Sequence, residues 1–95
     1  MINLEVKHKK IVHTDEYYYS VIRENMKRMR KAKNLTQQDL ADLTDISREY
    51  ICDIENESRN KHITIAYLSR VADALEVDIS ELFNDKTKKD MKKIS

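Results

Sequence analysis

The chain contains no glycine and no proline in 95 residues. Proline presets φ, and glycine reaches positive φ without steric cost, so tight turns draw heavily on both. Two-residue β-hairpins depend on glycine most, because their turns need positive φ at fixed positions. A chain without either residue is steered toward helices. Asn and Asp are then the natural residues wherever a connection passes through the left-handed region. The expected fold class is all-α.

The helical pattern is densest over residues 36–55, TQQDLADLTDISREYICDIE. Two short amphipathic stretches meet at a break formed by Thr44, Asp45 and Ile46. Leu40, Ala41 and Leu43 face one way, and Ile46, Ile51 and Ile54 are spaced to meet them. Thr36 and Ser47 suit the N-cap positions of the two helices, with Asp39 following Thr36 in the first turn. Two helices joined by so short a turn cross steeply. That is the geometry of a helix-turn-helix, a unit that offers its second helix to the DNA major groove.

The flanks complete a five-helix reading. Helix 1 is expected from Asp15 to Lys33, with acidic residues at its start and basic ones at its end. Tyr18, Ile22, Met26 and Met29 form its buried stripe, and Asn34 is its left-handed cap. After helix 3 comes a polar loop, Asn56 to His62. Helix 4 starts at about Thr64, with Ile65, Leu68, Val71, Ala72 and Leu75 inward. A short helix 5 is capped by Asp78 with Glu81 in the capping-box position, and Ile79, Leu82 and Phe83 close the core. The division is an N-terminal arm at 1–14, a helical domain at 15–83 and a basic tail at 84–95. The arm, with alternating Ile2, Leu4 and Val6 before Lys7-His8-Lys9-Lys10, reads as a flexible basic arm or as an extended segment that docks on a partner subunit.

The stretch from Ile22 to Phe83 resembles the XRE family of helix-turn-helix regulators, the lambda and Cro-type repressor fold. The resemblance rests on Asn25-Met26, Met29-Arg30-Lys31, Leu35 through Ala41, Ile46-Ser47-Arg48, Ile51, Ile54-Glu55, Arg59-Asn60, Leu68, Val71-Ala72, Ala74-Leu75, Val77 and Glu81-Leu82-Phe83. The run from Ser47 to Asn60 also looks like the controller proteins of restriction-modification systems. The resemblance implies a five-helix lambda-repressor-like domain with the helix-turn-helix at helices 2 and 3. It implies a transcriptional repressor or controller that binds double-stranded DNA as a homodimer. Where the family often has glycine, this chain has Asn34, Asp45, Glu57 and Glu76, and the last two are the less natural replacements.

Carried over residue by residue, the resemblance assigns phosphate contacts to Gln37, Asn56, Ser58, Arg59 and Asn60, with Lys61 as an addition. It pairs Arg30 with Glu55 inside the domain. It also places the dimer surface near helix 5, where Tyr67, Ile79 and Phe83 are candidates. Base reading falls to the outer side of helix 3, at Ser47, Arg48, Glu49, Tyr50 and Asp53. Arg48 is foremost among them, because a guanidinium can bond both O6 and N7 of guanine. For Glu49 and Asp53 the competing reading is a solvated acidic face that repels phosphate. The run Lys27-Arg28-Arg30-Lys31-Lys33 is likewise either a solvated face or a second electrostatic surface.

Other chemistry finds little support. The net charge is +1, so any attraction to nucleic acid must be local. One cysteine, Cys52, allows no internal disulfide and fits a reducing cytoplasm. With His62 alone in the loop and His8 and His13 in the arm, no zinc-ligand spacing arises. No nucleophile–base arrangement appears, so an enzyme is not expected, and neither is a cofactor or a small-molecule ligand. No apolar run is long enough to cross a bilayer. The alternative to a DNA regulator is an antitoxin or protein-interaction module on the same fold, or an accessory domain of a methylase system.

Overall fold

The structure, a computed structural model, describes residues 13–86. The expectations for Ile2, Leu4 and Val6 in the arm and for most of the basic tail lie outside these residues. Among the described residues there are four α-helices and no strand: α1 Asp15–Ala32, α2 Gln37–Thr44, α3 Arg48–Glu55 and α4 Ile65–Leu75. Two 3-10 segments, Glu57–Arg59 and Ile79–Phe83, follow α3 and α4 respectively.

Each α-helix starts on a hydroxyl. Thr14, Thr36, Ser47 and Thr64 accept hydrogen bonds from the backbone N–H groups of Tyr17, Asp39, Tyr50 and Tyr67, which satisfies donors the helix itself leaves open. At α2 the Asp39 carboxylate returns a bond to the Thr36 N–H and completes a capping box.

The helix ends show how the chain manages without glycine. Asn34, Asp45 and Glu76 stand at φ 60°, 59° and 61°. The residue after each donates its N–H to a carbonyl five positions back: Leu35 to Arg30, Ile46 to Ala41 and Val77 to Ala72. This is the Schellman ending, and its apolar follower packs onto the core in all three cases. Glu76 therefore does adopt the left-handed conformation, and its carboxylate pairs with Lys33 at 2.8 Å. Glu57 does not. The loop after α3 winds into a 3-10 turn at Glu57–Arg59, and the positive φ passes to Asn60, at 50°.

Met26, Leu40, Ile51, Leu68, Val71, Leu75 and Leu82 form the fully buried centre. α2 packs on α3 and α4, while α1 packs on α3, α4 and the closing segment. Four residues expected inside lie outside. Tyr18 is 42% exposed, Leu43 60%, Ile65 66% and Phe83 38%, so Leu82 closes the core without Phe83. α2 buries the side made by Leu40, Ala41 and Thr44, and Leu43 falls on the far side of Leu40 from them. On α1 the buried face is shifted to Val21, Ile22, Arg23, Asn25 and Met26. Tyr19, rather than Tyr18, packs against the core.

Polar side chains complete the helix ends. Arg23 Nε donates to the Ile54 carbonyl at the end of α3, and Arg70 Nη1 donates to the Thr44 carbonyl at the end of α2. Asn25 Nδ2 lies 3.3, 2.9 and 2.9 Å from the carbonyls of Glu81, Leu82 and Asn84. This amide explains why the expected fifth helix is instead the 3-10 segment Ile79–Phe83. The Leu82 and Asn84 carbonyls are satisfied across the fold by α1, and that of Glu81 accepts the Asn84 N–H as well. Beside it the Tyr17 hydroxyl donates to Asp85, which pushes the phenol up to about 12 and ties the start of α1 to the end of the closing segment.

Two outcomes follow for stability. Asp45→Gly should hold or raise stability by up to about 1 kcal/mol, and Asp45→Val should lower it by more than about 1 kcal/mol, because β-branching is poorly tolerated at positive φ; urea unfolding of the two variants checks this. In acid, Glu76 is held below its ordinary value of 4.5 by the hydrogen bond and charge of Lys33. Asp78 is held below 3.8 by the N–H and hydroxyl of Ser80. Depressed carboxyl groups stabilise the fold above their ordinary values, and that stability is lost as pH falls through the folded ones. Unfolding midpoints should drop below about pH 4, and the drop should be smaller in Glu76→Gln.

Candidate nucleic-acid interface

The geometry of α3 is set from behind. Arg30 on α1 meets Glu55, the last residue of α3, through two parallel bonds: Nε to Oε2 at 2.8 Å and Nη2 to Oε1 at 2.9 Å. The third guanidinium nitrogen donates to the Leu35 carbonyl at 2.7 Å. Gln37 Nε2, at the start of α2, donates to Glu55 Oε1 at 3.1 Å. The two charged side chains are 9% and 2% exposed. One buried carboxylate thus joins three helices, and the bonds it accepts from Arg30 raise the guanidinium further above its ordinary range. It also removes Glu55 from the charge that α3 presents outward.

Ser47, Arg48 and Glu49 are exposed on the first turn of α3. The Ser47 oxygen accepts the capping bond from Tyr50, which leaves its hydroxyl hydrogen available to donate. Arg48 makes no hydrogen bond or ion pair within the described residues. Tyr50 is placed differently. Its ring sits edge-on to Tyr67 at 5.0 Å, Lys61 Nζ lies 5.0 Å from the ring centroid, and its hydroxyl donates to the His62 carbonyl at 3.4 Å. Asp53 is half-buried, and its Oδ1 is 3.7 Å from Arg59 Nε.

The loop after α3 is held by its own bonds. Asn56 Oδ1 accepts from the N–H and hydroxyl of Ser58. Ser58, Arg59, Asn60 and Lys61 are all exposed. At the far end His62 stacks flat on Tyr19 at 3.8 Å, with Nε2 3.1 Å from Glu16 Oε2. This anchor on α1 is long-range. The sequence shows only a tyrosine run and a loop histidine, with nothing to join them.

The basic run of α1 disperses in three dimensions. Arg30 is internal, Arg28 donates to Asn25, and Lys33 pairs with Glu76. Lys27, 3.9 Å from Glu24, lines with Lys31 a groove shared by Gln37, Asn56 and the half-buried Cys52. Tyr67, Ile79 and Phe83 have different surroundings. Tyr67 lies between Tyr50 and the guanidinium of Arg70, Ile79 packs at the core edge, and Phe83 opens on an apolar groove with Tyr18 and Ile65. Among the described residues no cluster of three His, Cys, Asp or Glu could hold a metal, and no helix is long and apolar enough to cross a membrane.

The helix-turn-helix family HTH_3 matches residues 26–82. The immunity repressor protein of Bacillus phage phi105 is 34% identical over 64 residues, 67% of this chain and 43% of that protein. Control protein C.MunI of a Mycoplasma species is 36% identical over 61 residues, 63% of this chain and 80% of its own length. An HTH_3 family transcriptional regulator from Vibrio cholerae superposes with a TM-score of 0.66 at 33% identity, covering 74% of this chain and 38% of that one. The chain therefore spans less than half of the phage repressor and of the Vibrio regulator.

The Arg30–Glu55 arrangement makes a sharp forecast. Glu55→Ala leaves a guanidinium buried without its partner and should cost about 3–5 kcal/mol in urea unfolding. Replacing both residues with apolar ones of similar volume should recover much of that loss.

Proposed function

The chain belongs to the helix-turn-helix family HTH_3, and we propose that it binds double-stranded DNA sequence-specifically and regulates transcription, as a repressor or controller acting as a homodimer. In this reading α2 and α3 form the helix-turn-helix of a lambda-repressor-like domain spanning residues 15–83, with Ile79–Phe83 as its abbreviated fifth helix. The observation that carries it is the exposed first turn of α3. Arg48 stands there without a partner among the described residues, on a helix fixed in place by Arg30 and Glu55.

Arg48 is the principal base reader, flanked by Ser47 and Glu49. Tyr50 steadies the turn that Lys61 and His62 complete. Gln37 is oriented by Glu55 and keeps a second amide hydrogen for a phosphate, at a helix N-terminus that favours anions. Asn56, Ser58, Arg59, Asn60 and Lys61 lie along one exposed loop and supply the remaining backbone contacts. A helix of eight residues reads few base pairs, so two copies about a two-fold axis are required for a useful site. Phe83, with Tyr18 and Ile65 on the same groove, is the apolar surface offered for that pairing. A relative matched over 80% of its length is named a control protein, which favours the small controller type. Location in the cytoplasm follows from DNA as the partner.

Selection of bound sequences from a random duplex pool tests this. Enriched half-sites should lie about one helical turn apart. Arg48→Ala should relax selection at one base pair by about 1–3 kcal/mol, with the other positions retained. Failure to bind any duplex at low salt would sink the reading, since phosphate contacts alone give measurable affinity.

A further inference from the structure

Two groups that DNA recognition would call upon are already joined to each other. Asp53 lies one helical turn beyond Glu49 on α3, and Arg59 ends the 3-10 turn that follows the helix. Asp53 Oδ1 is 3.7 Å from Arg59 Nε, with the carboxylate side chain 30% exposed and the arginine 64% exposed. The carboxylate is thus partly shielded, while the guanidinium reaches into solvent. The turn between them is held by the Asn56–Ser58 bonds, and the left-handed Asn60 follows Arg59.

A phosphate and a carboxylate make the same demand on a guanidinium, which offers its N–H fork to either. A phosphate that engages Arg59 through the N–H groups facing Asp53 must therefore displace the carboxylate. We propose that Asp53 is a positioning residue that competes with DNA phosphate for Arg59, and so damps the sequence-independent part of DNA binding instead of reading a base. This rests on the DNA-binding reading above and adds a role within it. The damping is modest, because an exposed ion pair of this kind is worth a factor of about 1.4–5.

The test measures binding to a random-sequence duplex over a range of salt concentrations, for wild type, Asp53→Asn, Asp53→Glu, Arg59→Ala and the Asp53→Asn/Arg59→Ala double variant. Asp53→Asn should tighten binding about two- to five-fold. Its salt dependence should steepen, toward one additional slope increment of about 0.9 for a phosphate contact made without competition. In the Arg59→Ala background the same substitution should change affinity little, since its effect passes through Arg59. Asp53→Glu, which keeps a carboxylate in reach, should bind like wild type. Equal tightening with and without Arg59 would reduce Asp53 to bulk charge and overturn the proposal. Unchanged or weakened binding in Asp53→Asn would overturn it as well, as would a shift in the selected base with no gain on random duplex. A wild-type protein that binds no duplex at all would remove the DNA-binding reading itself, a result distinct from each of these.

Discussion

A single buried carboxylate organises the domain. Glu55 accepts two bonds from Arg30 and one from Gln37, and Arg30 carries a third bond onward to the Leu35 carbonyl. Removing two charges from water is unfavourable, and their attraction offsets that cost only when the geometry is good and the remaining donors are used. Both conditions hold here. The net stability gained is small, but the positional demand is strict. α1, the start of α2 and the end of α3 cannot shift relative to one another without breaking a bond inside the core. The exposed turn at Ser47, Arg48 and Glu49 is the other end of the helix so fixed.

The same economy governs the helix ends. Each α-helix leaves its last carbonyls unpaired, and this chain satisfies them from elsewhere in the fold. Arg23 serves α3, Arg70 serves α2, and Asn25 serves the closing segment. The left-handed residues Asn34, Asp45 and Glu76 then let the chain leave α1, α2 and α4 with a bond to spare and an apolar residue turned inward. No buried side-chain nitrogen or oxygen among the described residues is left without a partner. A highly charged composition is thereby reconciled with a compact apolar centre.

Much of this was legible in the residues, for local reasons. Hydroxyl caps and periodic apolar positions act within a few residues of chain, so the helices from Asp15, Gln37 and Arg48 and the turn at Asp45 could be read directly. What depended on distant partners could not. The fifth helix was expected from Asp78 and Glu81, yet Asn25, far back in the chain, decides its form. Leu43 and Ile65 have the right spacing for burial and lack a neighbour to cover them. The resemblance already turned Arg30 of the basic run inward to Glu55, but the separate partners of the others, Arg28 with Asn25 and Lys33 with Glu76, needed the tertiary fold. Within the candidate site, the exposure of Arg48 was readable. The engagement of Tyr50 with Tyr67 and of Asp53 with Arg59 needed the tertiary fold.

The bond from Tyr17 to Asp85 bears on how such a unit is built into larger proteins. It places the point where the chain enters the first helix beside the point where it leaves the last segment. A domain whose entrance and exit adjoin behaves as a cassette. It can hang from a loop of a host protein, or carry added sequence at either end, with the packing of its four helices undisturbed.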